Sequence, residues 1–163
     1  MASGNTLLVF LAEEGRPPGN GGATFDVRNN IACWDFDDTT GESVVFTGVL
    51  PRNYAGGGIT VYLHWAATTA TSGTGGWLVA FERIGDGQQD IDSDGFASAQ
   101  TVTAATVPAT SGHVKITNVA VSDGANMDSV AVGELFRLKV TRDVANDTAT
   151  GDLELYAVEL KET

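Results

Sequence analysis

The sharpest chemical pattern in the chain is Asp90-Ile-Asp-Ser-Asp-Gly95, in which carboxylates occupy every second position before a glycine. Carboxylate oxygens at this spacing converge on a hard cation such as calcium in EF-hand loops. The match ends there, because Thr101 stands where such a loop supplies a bidentate glutamate, and no flanking helices are predicted. The segment is interpreted as an acidic surface loop without a metal. Whether Asp90, Asp92 and Asp94 bind calcium is left open.

The side chains that could serve as nucleophile or base lack partners in the sequence. The two histidines, His64 and His113, have no carboxylate or histidine at ligand spacing, and there is no Gly-x-Ser-x-Gly elbow. Cys33 has aspartates rather than basic residues nearby, so it is interpreted as a small packing residue. A glycosidase pair of carboxylates is recognised by its separation in space, which a sequence does not give. The chain is predicted not to be an enzyme, with no catalytic residue, metal or other cofactor.

Aromatic side chains offer a different chemistry, the stacking of sugar rings. Trp65 alternates in phase with Ile59 and Leu63, which predicts a core position. Both faces of the strand that carries Trp77 are apolar, so the face of Trp77 is undetermined. The alternative function is therefore a carbohydrate-binding β-sandwich module, with an exposed Trp77 or Tyr62 as the stacking residue.

These residues are carried by segments that alternate between apolar and polar side chains with a period of two, as half-buried strands do. Runs of strands without intervening helices predict an all-β fold, an antiparallel β-sandwich of jelly-roll type. Asn29-Asn30 predicts a tight turn between two of the strands. The predicted strands are 6–12, 24–28, 31–36, 43–50, 59–66, 77–84, 96–107, 114–121, 135–142 and 151–160.

Three local expectations refine this pattern. The turn formers of 143–151 predict that the last two strands close an antiparallel hairpin, with Phe136, Leu138 and Val140 facing the core. A change of phase in 114–121 predicts a bulge near Thr117-Asn118. A single helical turn is expected within Asn126–Val132.

Composition limits the classes of function. The 163 residues carry 21 acidic and 9 basic side chains, a net charge of −12, which disfavours nucleic acid and anionic membranes as partners. One cysteine excludes an internal disulfide, and no signal peptide or membrane span is predicted. Residues 1–22 are interpreted as an N-terminal strand or arm with a Gly/Pro loop. Residues 23–163 are interpreted as a single β-sandwich domain, and an ordinary edge strand is the alternative to the arm.

Two segments are candidates for contact with a partner protein. The loop Pro51–Gly58 joins two strong strands, and its Arg52, Asn53 and Tyr54 include residue types enriched at interfaces. Leu7 and Val9 of the N-terminal strand are the other candidates. A tyrosine that packs back onto the sheet is the alternative for Tyr54.

Three segments together resemble the small β-sandwich structural proteins of tailed bacteriophages, of the head-decoration (cement) or head-spike and fibre-base type. They are Val49–Val61, Trp77–Ile84 and the terminal pair 135–143 with 151–155. The resemblance implies a virion structural protein, made in the host cytoplasm and bound to the outer capsid surface. Its partners would be the major capsid protein and itself, as a homotrimer. The base domain of a head spike or tail fibre is a further alternative.

Overall fold

The structure is a computed structural model that describes residues 4–163, so the first three residues of the predicted arm lie outside the described part. The described residues form ten strands and two 3-10 turns, Ala12–Glu14 and Ala125–Met127; no helix among them is long and apolar enough to cross a membrane. The strands are β1 (Thr6–Leu11), β2 (Thr24–Arg28), β3 (Ile31–Phe36), β4 (Ser43–Val49), β5 (Ile59–Ala67), β6 (Thr74–Ile84), β7 (Gln100–Thr106), β8 (Lys115–Val121), β9 (Leu135–Arg142) and β10 (Leu153–Glu162).

The strands form two antiparallel sheets that pack as a sandwich, which confirms the predicted fold class. Sheet A has the order β2-β3-β10-β5-β8, and β1 pairs with the second half of β10. Sheet B has the order β4-β9-β6-β7. The expected turn at Asn29-Asn30 is present, and both residues have positive φ, 48° and 66°, as a tight hairpin turn requires.

The core lies between the sheets and is built from the alternate positions of each strand. Ile59, Val61, Leu63 and Trp65 of β5 are fully buried, as predicted, and so are Phe136, Leu138 and Val140 of β9. Aromatic rings dominate this interior: Phe36 meets Trp77 edge to face at a centroid distance of 4.9 Å.

The predicted hairpin between the last two strands is wrong. β9 belongs to sheet B and β10 to sheet A, so the loop between them crosses from one sheet to the other. Both edges of each strand are already occupied, because β9 lies between β4 and β6, and β10 lies between β5 on one side and β3 and β1 on the other. Turn formers therefore indicated the position of the loop but not which edges its strands would use.

Arg142 closes the end of the sandwich where this crossing occurs. It continues the buried phase of β9, so its guanidinium enters the interior and is 1% exposed. All five of its N–H groups are used: two donate to the Asp147 carboxylate, and three to the carbonyl oxygens of Phe36, Ala149 and Gly151. One side chain thus joins β9, β3 and the crossing loop.

The expected bulge in β8 is also wrong. β8 pairs with β5 in unbroken register from Lys115 to Val121. Thr117 takes a core position instead, because its hydroxyl accepts a hydrogen bond from Trp65 Nε1 at 3.0 Å. A satisfied hydroxyl removes the cost of burying a polar side chain. Val114 and Ile116 consequently face outward, each more than half exposed.

The N-terminal segment packs onto its own chain. β1 runs along β10, and Phe10 is buried against Phe46 at a ring-centroid distance of 5.5 Å. Beyond the 3-10 turn, Arg16 and Val45 of β4 exchange two backbone hydrogen bonds of 2.8 Å. The segment therefore supplies an edge strand to sheet A and a short extension to sheet B.

The loop Pro51–Gly58 corrects one of the predicted interface residues. Tyr54 is only 7% exposed, and its hydroxyl accepts a hydrogen bond from the Gly58 amide and lies 3.9 Å from Met127 Sδ. Apolar burial of the ring with a satisfied hydroxyl explains this position. Arg52, Asn53 and Val9 are exposed and Leu7 is partly so, and their contact with a partner stays a prediction.

Candidate functional site

The candidate site is a cleft on the outer face of sheet A, the face turned away from sheet B. It has a volume of about 540 Å³ and spans the sheet from the β2–β3 hairpin across β10 and β5 to the loop before β8. We call it the Tyr156 cleft. Its lining residues are Arg28, Asn29, Ile31, His64, Gly112, Val114, Tyr156 and Ala157.

A bulge in β10 creates the room for Tyr156. The pairing of β10 with β5 shifts register between Leu155 and Ala157, so Tyr156 is the extra residue of the strand. Bulges redirect a side chain and interrupt pairing, which is why they recur beside binding sites. Here the bulge lies where β10 stops pairing with β3 and starts pairing with β1.

A buried carboxylate holds the polar side of the cleft in place. Glu154 is 3% exposed, and its Oε2 accepts hydrogen bonds from Arg28 Nη1 at 2.7 Å and from the Tyr156 hydroxyl at 2.8 Å. Arg28 Nη1 also donates to the carbonyl oxygen of Ala67 at 3.2 Å. The hydrogen bond to Glu154 raises the pKa of Arg28, and burial together with this hydrogen bond raises the pKa of Tyr156. Both side chains are fixed before any ligand arrives.

Beneath this cleft lies an acidic cluster on β3 and β10. Ligand atoms of Cys33, Asp35 and Glu154 lie within 4.8 Å of one another, and across residues 4–163 no other group of three such residues does so. Burial, followed by the charge of Glu154, raises the pKa of Asp35 to about 7. Burial raises the pKa of the Cys33 thiol to about 12. Cys33 is therefore an inert thiol at neutral pH, in agreement with its interpretation as a packing residue.

The raised pKa of Asp35 predicts a loss of stability with rising pH. The native state holds this proton more tightly than the unfolded chain, so the free energy of unfolding falls as the pH rises from near the ordinary value of 3.8 through about 7. Asp35→Asn removes the titrating group and should flatten this decline. Melting temperatures of both proteins between pH 4.5 and 8 give the comparison.

Asp37→Asn is the matched control for this prediction. Hydrogen bonds from Thr39 and Thr40 lower the pKa of Asp37, so its contribution to stability has the opposite sign and is lost as the pH falls. If the melting temperatures of the wild type and of Asp35→Asn changed equally with pH, the raised pKa of Asp35 would be contradicted.

The residues predicted from sequence are distributed unevenly around the cleft. His64 lines it, and His113 lies beside it in the loop before β8. Asp90, Asp92 and Asp94 lie in an exposed turn, and their carboxylates do not converge as a cation site requires. The candidate stacking role of Trp77 is wrong, because its ring is 0% exposed. Tyr62 is half-buried on the same outer face but outside the lining of the cleft.

Sequence reasoning missed Arg28 and Tyr156, the two side chains that Glu154 positions. They come from strands 128 positions apart, and only the pairing of β3 with β10 brings these strands together. The one available signal in the sequence was a change of phase in β10, where the apolar positions shift from Leu153 and Leu155 to Val158 and Leu160. Such a break marks a bulge and so marks a redirected side chain.

Several solved structures resemble this chain in fold. No protein-family model and no curated protein sequence matches the chain. The CBM35 domain of Cellvibrio japonicus Abf62 aligns with a TM-score of 0.54 at 11% identity, over 94% of this chain and 91% of that one. The CBM22-2 xylan-binding domain of Paenibacillus barcinonensis Xyn10C aligns with a TM-score of 0.53 at 12% identity, over 96% and 99%.

The Clostridium thermocellum Xyn10B CBM22-1–GH10 protein, solved with xylohexaose, is longer. It aligns with a TM-score of 0.53 at 13% identity, and the match covers 99% of this chain but 29% of that one. At such identities the likeness establishes the jelly-roll fold alone. Function has to be argued from the residues of this chain.

Proposed function

We propose that the chain is a non-catalytic carbohydrate-binding β-sandwich and that the Tyr156 cleft holds the glycan. The observation that carries the proposal is the cleft itself: an open volume of about 540 Å³ on a rigid sheet, with Tyr156 and Arg28 preset by Glu154. Binding residues on a sheet lose little conformational entropy when a ligand arrives, which favours affinity.

The lining suits a sugar because it mixes apolar surface with directional polar groups. A pyranose ring has apolar C–H faces and hydroxyl groups around its rim, so it needs both kinds of contact. Ile31, Val114 and the ring of Tyr156 supply the first kind; Asn29 and His64 supply the second. The lining contains no carboxylate, and Glu154 beneath it already accepts two hydrogen bonds through one oxygen. A pair of carboxylates for glycoside hydrolysis is therefore not assembled within it.

The choice of first probe follows from the structural likeness. Two of the similar proteins are described as binding xylan or were solved with xylohexaose. Neutral xylo-oligosaccharides are therefore the first ligands to test, on a glycan array that also carries other neutral β-linked oligosaccharides. Specific binding by the wild-type chain is the expected result.

Tyr156→Ala should weaken binding of the best neutral oligosaccharide by roughly tenfold, which corresponds to about 1.4 kcal/mol. The loss arises because the ring provides apolar contact area at a central position of the cleft. Tyr156→Phe keeps the ring and removes the hydrogen bond to Glu154. It therefore separates the effect of the ring's contact with the sugar from the effect of the hydrogen bond that positions the ring. Isothermal titration calorimetry gives the dissociation constants.

Tyr62→Ala is the matched control, since Tyr62 lies on the same sheet face outside the cleft. It should leave the dissociation constant unchanged. Loss of binding in Tyr62→Ala but not in Tyr156→Ala would place the glycan site at Tyr62 and outside the cleft. Absence of any glycan ligand would contradict the proposed function.

A second candidate function is the decoration of a phage capsid. It is favoured by apolar side chains that are exposed to solvent. Val49 and Leu135 are paired neighbours on β4 and β9, and they are 51% and 38% exposed; Val9 and Leu11 of β1 are 52% and 54% exposed. The adjacent pair Val49 and Leu135 offers apolar surface that a partner protein would cover. Cosedimentation of the chain with expanded capsids, together with analytical ultracentrifugation for a trimer, tests this candidate.

A further inference from the structure

A second groove lies on the opposite side of the molecule, on the outer face of sheet B. We call it the cationic groove. It has a volume of about 390 Å³, its floor is formed by β4 and β9, one side by the segment after the first 3-10 turn, and the other by Phe96. Its lining residues are Arg16, Pro17, Pro18, Asn20, Ser43, Val45, Thr47, Phe96, Arg137 and Lys139.

Alternation along β9 explains why two cations lie side by side on this floor, because Arg137 and Lys139 are two positions apart on that strand. Val45 pairs with Lys139 and Thr47 pairs with Arg137, and these residues alternate with the buried Phe46 and Leu138. Their side chains therefore project away from the core on neighbouring strands. Arg16 is fixed next to them by its two backbone hydrogen bonds with Val45.

The charge of this groove is opposite to that of the protein. Three of the 9 basic residues line it and none of the 21 acidic residues does, in a chain of net charge −12. A local positive region on an acidic protein concentrates anions at that region and not elsewhere.

Two of the three cations have no carboxylate partner among residues 4–163. Arg137 is matched by the buried Glu82, whose two oxygens accept hydrogen bonds from Arg137 Nε and Nη2 at 2.8 and 2.6 Å. Arg16 Nη1 donates only to the carbonyl oxygens of Glu13 and Gly15. The Lys139 ammonium lies 4.6 Å above the centre of the Phe96 ring, without an ion pair among the described residues.

The remaining lining indicates more than a simple ion site. Asn20, Ser43 and Thr47 offer neutral hydrogen-bonding groups, and Pro17 and Val45 offer apolar surface. A volume of about 390 Å³ is several times that of a single inorganic anion. An acidic sugar needs all three features: a cation for its carboxylate, neutral partners for its hydroxyls and an apolar surface for its ring.

We infer that the cationic groove binds a uronate residue of an acidic polysaccharide, with Lys139 and Arg16 paired to the sugar carboxylate. This site is separate from the Tyr156 cleft and does not depend on the proposed function of that cleft. The two sites lie on opposite faces of the sandwich, so one chain can hold an acidic and a neutral glycan at the same time.

Calorimetric titration of the full chain with an oligogalacturonate tests the inference. Binding is expected, with a dissociation constant that rises as NaCl is added, because salt screens exposed charges. Lys139→Met and, separately, Arg16→Gln should each weaken it by roughly tenfold. Circular dichroism and melting temperature establish that both variants are folded.

Lys161→Met is the matched control, because it removes the same charge from β10 on the other sheet. Lys161→Met and Tyr156→Ala should both leave oligogalacturonate affinity unchanged, which separates this site from the neutral-glycan cleft. An equal loss of oligogalacturonate affinity in Lys161→Met would show that the effect comes from net charge alone, and it would overturn the inference. No oligogalacturonate binding, or tighter binding of inorganic phosphate or of poly-glutamate than of oligogalacturonate, would also overturn it.

Discussion

Replacing Arg142 with methionine is expected to cost about 3–5 kcal/mol of folding free energy. The substitution leaves the Asp147 carboxylate, only 3% exposed, without its cation, and leaves the carbonyl oxygens of Phe36, Ala149 and Gly151 without their donor. Buried groups that lose a partner carry their full desolvation cost. Urea denaturation should show the loss, and the melting temperature should fall by roughly 6–20 °C.

Two further variants determine what the Arg142 result means. Arg52→Met removes an exposed arginine and should change stability by less than about 0.5 kcal/mol. Arg142→Met combined with Asp147→Leu removes both members of the buried pair and should recover part of the loss, since no unpaired charge remains. A stability of Arg142→Met within about 1 kcal/mol of the wild type would contradict the role assigned to this side chain.

Trp77→Ala is expected to destabilise the fold by about 3–5 kcal/mol without a specific effect on glycan binding. The ring is fully buried between Phe36 and Trp65, so its removal leaves a cavity at the centre of the sandwich. Denaturation curves give the stability, and calorimetry at a temperature where the variant is folded gives the affinity. A stable variant that no longer binds sugar would show that this tryptophan touches the ligand after all.

Conservative changes at the two central tryptophans sharpen this comparison. Trp65 Nε1 donates to Thr117, whereas Trp77 Nε1 has no hydrogen-bond partner among the described residues. Trp65→Phe should therefore cost about 1 kcal/mol more than Trp77→Phe, because only the first change breaks a buried hydrogen bond. The reverse order would indicate that a water satisfies Trp77.

Local patterns in the sequence were sufficient to predict the strands and many of the core residues. Each of the ten strands overlaps a segment predicted from the sequence, most of them from alternation, and the turn at Asn29-Asn30 follows from two residues that tolerate positive φ. The core positions of Trp65 and Phe136 follow from phase alone. These features depend on residues only a few positions apart, so they can be read from a sequence.

Strand pairing depends on distant residues, and there the expectations failed. The turn formers between β9 and β10 are compatible with a hairpin or with a crossing between sheets, and the choice depends on which edges β4, β6 and β5 occupy. In β8, the hydrogen bond between Thr117 and Trp65 determines the register, and a hydrophobicity pattern counts threonine as polar. For Tyr54 the sequence left two alternatives open, an exposed interface residue and a tyrosine packed back onto the sheet, and the structure shows the second.

The binding surfaces were the least predictable part of the molecule. The Tyr156 cleft combines residues from β2, β3, β5, β10 and the loop before β8, and the cationic groove adds the segment after β1 to β4 and β9. Neither set forms a motif along the chain. Arg137 and Lys139 share one face of β9 by alternation alone, but the local charge reversal in the groove becomes visible only when the N-terminal segment brings Arg16 alongside them.

The interior position of β10 in sheet A also determines when the protein can fold. β1, β3 and β5 all pair with β10, so without it sheet A consists of the β2–β3 hairpin, the β5–β8 pair and an unpaired β1. A chain emerging from the ribosome must therefore hold these pieces, with open strand edges, until residues 153–162 appear. We expect sheet A to form late and slowly, and nascent chains that stop before β10 to aggregate.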